Sequence, residues 1–184
     1  MGVIIVLVVV AVIALLVVGI YNRLVGLRQN VRQGVADIDA QLRQRHDLIP
    51  NLVETVKGYA THEQDTFEQV TEARNRAAAG NLSSSDEAQL KVALDRLLAL
   101  AENYPDLKAN TNFQELQREL ANTEDKLAAA RRALNAAVAR FNTARESFPA
   151  VMFAGALGFQ EADFHRLDDS EQGVVDQVPQ VSFK

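Results

Sequence analysis

The chain has no cysteine and no tryptophan in its 184 residues, four prolines, and an aromatic fraction of only 6%. Without cysteine there can be no disulfide, no iron–sulfur cluster and no thiolate nucleophile. With so few prolines, long stretches run without a helix breaker, and no alternating apolar pattern competes as a strand before residue 149. Positive charge is also in deficit, with 19 Lys and Arg against 24 Asp and Glu. The resulting net charge of −5 lies entirely from Arg23 onward. An acidic domain is a poor match for nucleic acid, whose binding rests on cationic contacts to phosphates. No nucleic-acid partner is expected.

What is present begins with an uninterrupted apolar run. Gly2 to Ile20 holds no charged or polar side chain. A helix of that length rises about 28 Å, close to the hydrocarbon thickness of a bilayer. Tyr21 and Asn22 follow at the level expected for headgroups, and Arg23 is the first formal charge. A cleaved signal peptide would want a basic start, a shorter apolar stretch and a small-residue cleavage site. The run offers neither the start nor the site, so residues 1–22 are expected to form an uncleaved anchor. Arg23, Arg28 and Arg32 follow the span directly. By the positive-inside rule the chain crosses once, with its N-terminus outside and its C-terminal domain in the cytoplasm.

Beyond the span the periodicity is helical. Leu24, Val31, Val35, Ile38 and Leu42 carry the first helix, without a linker, to about Arg45. Asp47 is a good N-cap, and Pro50 suits a first turn, where its missing N–H would be unpaired anyway. The pattern predicts a tight hairpin there, then a second helix from Asp47 to Ala79. Ile49, Leu52, Val53, Val56, Ala60, Phe67 and Val70 mark its apolar face. One continuous helix kinked at Pro50 is the alternative. Ser84 and Glu87 make a capping box for a third helix ending before Pro105. Thr111 or Asn112 opens a fourth. There Phe113, Leu116, Leu120, Thr123, Leu127, Ala130, Leu134, Ala137 and Phe141 alternate steps of three and four, a heptad-like seam of the coiled-coil kind. The expected fold is all-α: an antiparallel up-down-up-down four-helix bundle over residues 23–148, its first helix continuous with the transmembrane helix. Residues 149–184 are expected to form an irregular tail packed at the membrane-proximal end.

The stretch "RHDLIPNLVETVKGYATHE" (Arg45 to Glu63) concentrates titratable side chains and invites a catalytic reading. The residues do not sustain it. His62 opens "HEQDT", which lacks the second histidine that H-E-x-x-H places on the same helix face. His46 and His165 stand far apart in sequence, and solvated polar roles are expected for all three histidines. Asp39 with Arg43 and Glu54 with Lys57 have the spacing of ordinary helix-surface pairs. Gly155 and Gly158 lie in an apolar context without the lysine of a phosphate loop. No catalytic, cofactor-binding or metal-ligating residue is expected, and no cofactor.

Read as a pattern, the same residues are distinctive. "YNRLVGLRQNV", "IDAQLRQRHDLIPNLVETVKGYATHE", "EARN", "LKANTNFQELQRELANTEDKLAAAR" and "SFPAVMFAGALGF" together resemble the LemA family over essentially the whole chain. "LNAAVARFN" departs from the family, which often carries tyrosine at both ends of that segment. The resemblance implies a single-pass protein of the bacterial inner membrane, with a long helical bundle inside. It also implies relatives that accompany magnetosome formation or are encoded near membrane proteases. No enzymatic activity is established for the family, so no catalytic residue carries over.

The expected function is a non-enzymatic helical scaffold or adaptor, anchored in the bilayer and presenting its bundle to protein partners, a membrane protease among the candidates. The alternative is a self-assembling, homo-oligomeric membrane-organising protein. Tyr21, Arg23, Arg28, Arg32, Phe153 and Phe159 are the expected membrane-interface residues. For the apolar run after Pro149 two readings stand open: it plugs the end of the bundle core, or it dips into the interface as a second lipid contact.

Overall fold

A computed structural model of the protein describes residues 1–80 and 83–164. Among the described residues there are helices and no strand: α1 (Gly2–Lys57), α2 (Gln64–Ala79), α3 (Ser84–Ala101), the single turn α4 (Pro105–Lys108) and α5 (Thr111–Glu146). A 3-10 turn, Ala150–Met152, follows α5. The chain forms two compact units. The described residues of one are 1–38 and 128–164, and those of the other lie within 39–127.

In the second unit, segments of four helices close on one core. Ile49, Leu52, Val53 and Val56 come from α1; Phe67, Val70, Ala73 and Ala77 from α2; Leu90, Leu94 and Leu97 from α3; Phe113 and Leu120 from α5. Fully burying each large apolar side chain contributes about 1.5–3 kcal/mol. The residues expected on the apolar face from Ile49 to Val70 are buried, whereas Val35, expected on the first helix's face, is exposed; the expected hairpin is not where the chain turns. α1 runs unbroken through Asp47 and Pro50 to Lys57, and the reversal falls at Gly58–Glu63, before α2.

The reason lies in how the proline is accommodated. Within a helix Pro50 cannot donate to the carbonyl of His46, four residues back. Arg74 of α2 donates from Nε to that carbonyl at 3.2 Å. The acceptor that Pro50 leaves unpaired is thus satisfied from another helix, and the local argument for a helix start loses its force. The turn that replaces it buries Ala60 completely. Asn110 donates from Nδ2 to the hydroxyl of Tyr59 at 2.9 Å and accepts at Oδ1 from the amide of Phe113 at 3.1 Å. Asn110, rather than Thr111 or Asn112, therefore supplies the cap of α5.

In the first unit, α1 and the C-terminal part of α5 run antiparallel in close contact. A Cβ on Gly34 would come within 3.2 Å of Leu134 Cα, so the glycine lets the two backbones approach. Leu27 and Asn30 share a groove with Ala133, Ala137 and Arg140, and Leu24 packs with Phe141 and Ala144. The whole expected seam of α5, from Phe113 to Phe141, is buried or half-buried. Past Glu146 the chain turns back along α5. Asn142 holds it there, donating to Ala162 O at 2.8 Å and accepting from Ala162 N at 3.0 Å. Gly158 takes φ +76°, a left-handed conformation that favours glycine, and delivers Phe159 into the cluster.

Candidate membrane-proximal site

The first half of α1 contains a window of mean hydropathy 3.7, long and apolar enough to cross a membrane, and no residue of that window is buried. Its last apolar residues meet the segment after α5. Phe159 is only 2% exposed. Its ring meets Tyr21 edge-on with centroids 5.6 Å apart, and lies 6.4 Å from Phe141. The guanidinium carbon of Arg28 stands 4.9 Å from the Phe159 centroid, a cation–π contact worth about 0.5–2 kcal/mol.

These contacts divide the six expected interface residues. Tyr21, Arg23 and Arg32 are exposed, Arg28 and Phe153 are half-buried, and Phe159 faces the core instead of solvent. Tyr21, Arg28 and Phe159 are brought together; Arg23, Arg32 and Phe153 take no part in that cluster. Ala154 and Phe159 join the first unit's core, whereas Val151 and Met152 of the same run, and Phe148 just before Pro149, project outward. The expectation for His165 lies outside the described residues.

A second feature, in the other unit, is a buried ion network that sequence reasoning missed. Arg45 donates to Glu87 Oε2 at 2.5 Å and to Glu124 Oε1 at 2.7 Å. His46 Nε2 lies 2.9 Å from the other oxygen of Glu87. Arg45, His46 and Glu87 are all buried. This overturns two local readings. Glu87 does not close a capping box: Ser83 is the residue before α3, and no side chain caps that helix. His46 is not solvated, although His62 is exposed. Each oxygen of Glu87 has a close partner, one cationic, so the cluster ties α1, α3 and α5 together. The available signal was Arg45, His46, Leu42 and Ile49 sharing one helical stripe, which put a charge on an apolar face.

A model of the LemA family matches residues 34–183. The chain is 24% identical to the magnetosome protein MamQ of Magnetospirillum gryphiswaldense, over 88% of this chain and 70% of that one. It is 24% identical to the protein LemA of Metamycoplasma hominis, over 82% and 74% respectively. To MamQ 2 of Paramagnetospirillum magneticum it is 25% identical, over 78% of this chain and 64% of the relative. The QLRQRHDLIPNLVETVKGYA segment that carries the resemblance falls within the matched region, and so do the buried ion network and the segment that covers Phe141. The chain belongs to the LemA family.

Proposed function

We propose that the protein is a membrane-anchored, non-enzymatic helical scaffold or adaptor of the bacterial inner membrane. Residues 1–22 are the anchor and residues 23–148 an antiparallel four-helix bundle in the cytoplasm. Residues 149–164 of the tail lie at the membrane-proximal end, and the expectation for residues 165–184 falls outside the described residues. Tyr21, Arg23, Arg28 and Arg32 stand at the headgroups, where each arginine adds attraction to anionic lipid. The observation that carries the reading is α1 itself: the apolar span and the residues from Ile49 to Val56 that build the second unit's core belong to one helix. The second reading is a self-assembling, homo-oligomeric protein that organises membrane; two of the relatives are named magnetosome proteins.

Alkaline extraction and reporters fused after Lys184 test the proposal. The full chain stays with the membrane pellet, the chain lacking residues 1–22 is released, and only a reporter active in the cytoplasm works. Release of the full chain, or activity of a periplasmic reporter alone, contradicts it. Crosslinking from an exposed bundle position such as Val92 separates the two readings. Capture of one other membrane protein, a membrane protease being one candidate, fits the adaptor; capture of further copies of this chain, with altered liposome shape on reconstitution, fits the organiser.

A further inference from the structure

We infer that Phe148, Val151 and Met152 form a second membrane contact that enters the headgroup–acyl boundary beside the anchor. The inference rests on the reading that residues 2–20 cross the bilayer. Its basis is the antiparallel register of α1 and α5 in the first unit. Gly34 faces Leu134, and the groove shared by Leu27, Asn30, Ala137 and Arg140 keeps the same register. Counting equally far down α1 and up α5 from that point brings Phe148 level with Ile20. The contact of Phe159 with Tyr21, and the packing of Ala154 and Phe159 beside Ile20 and Leu24, place the chain after α5 at the same height by a separate route.

At that height the run is sorted by face. Ala154 and Phe159 turn inward and are 3% and 2% exposed; Phe148, Val151 and Met152 turn outward at 80%, 54% and 66%. Three large apolar side chains are thus bare at the level where the uncovered surface of the span ends and before Arg23, the first charge. The bilayer is the occupant continuous with that surface, and a group held beside Ile20 meets it wherever the span is seated. Among the charges nearest in sequence, Arg145 is paired with Glu146 at 3.0 Å and with Glu161 at 3.3 Å, and both carboxylates are exposed to water. Amphipathic segments enter the interface in this way, with the apolar face buried a few ångströms and the polar face in water.

The chain has no tryptophan, so single tryptophans in the full-length protein report without background. Phe148→Trp and, separately, Val151→Trp are reconstituted into liposomes carrying lipids brominated near the headgroup or deep in the acyl chain. Val12→Trp reports on the anchor. The expected result is at least twofold quenching of the first two by the shallow bromines, with weaker quenching by the deep ones, and deep quenching of Val12→Trp. Quenching of Val12→Trp with unquenched, water-exposed emission at positions 148 and 151 overturns the inference and leaves the anchor standing. Unquenched but sheltered emission, lost as protein is diluted in lipid, overturns it in favour of a second copy. Absence of quenching at all three positions overturns the anchor as well.

Discussion

Arg45 carries a charge on the stripe of α1 that otherwise buries leucine and isoleucine, and it holds its place through Glu87 and Glu124. Removing one member of a buried ion pair costs about 3–5 kcal/mol, because the other is left desolvated without a partner, whereas apolar replacement of both is far milder. Denaturant unfolding of the full chain in detergent should therefore show Arg45→Met losing about 3–5 kcal/mol, with Arg45→Met/Glu87→Met recovering most of it. A loss in the double variant equal to the sum of the two single losses would mean that the pair is not coupled. Leu127 sits in the second unit at 1% exposure, and Leu127→Asp should cost several kcal/mol by burying a carboxylate alone. His46→Ala should cost about 1–3 kcal/mol by orphaning one oxygen of Glu87, and His62→Ala, at an exposed position, within about 0.5 kcal/mol. Melting temperatures in the order Leu127→Asp, His46→Ala, His62→Ala, lowest first, check this series; a His46→Ala protein as stable as His62→Ala would contradict the network.

At the scale of elements, Pro50 and Arg74 explain where the chain turns. Arg74→Met removes the donor to the His46 carbonyl, and an orphaned buried acceptor costs about 1–3 kcal/mol. In a Pro50→Ala background the new amide can donate to that carbonyl, so the same Arg74→Met change should cost less than half as much. Identical costs in the two backgrounds would show that Arg74 does not serve the acceptor freed by the proline. This pair also marks the limit of what was legible in the sequence. The seam of α5 and the apolar span were readable because periodicity and composition are local signals. The unbroken α1 was not, because Pro50 is a helix-start signal by itself, and the donor that serves the His46 carbonyl is Arg74 of α2, 28 residues beyond His46. Glu87 misled for the same reason. Its spacing from Ser84 satisfied a local motif, while its actual partner, Arg45, is 42 residues distant. The run after Pro149 was legible as apolar but not as two-faced. Its division into Ala154 and Phe159 inward, Phe148, Val151 and Met152 outward follows from the pin at Asn142 and the left-handed Gly158, neither of which hydropathy reports.

In the whole molecule, the apolar run from Gly2 to Ile20 and the core residues Ile49 to Val56 belong to one helix, α1. A hairpin near Asp47 would place those two segments on different helices. The two arrangements differ most for exposed residues on either side of Pro50. Ala40 and Lys57 are both exposed and both in α1, and the absence of native cysteine lets each carry a spin label after substitution. Along a continuous helix they are separated by about 26 Å; in a hairpin they would lie side by side, about 10 Å apart, the usual spacing of packed helices. Pulsed dipolar spectroscopy on Ala40→Cys/Lys57→Cys in the full-length protein, reconstituted in lipid, measures this directly. A narrow distribution centred near about 26 Å is the predicted result, and a population near about 10 Å would contradict it.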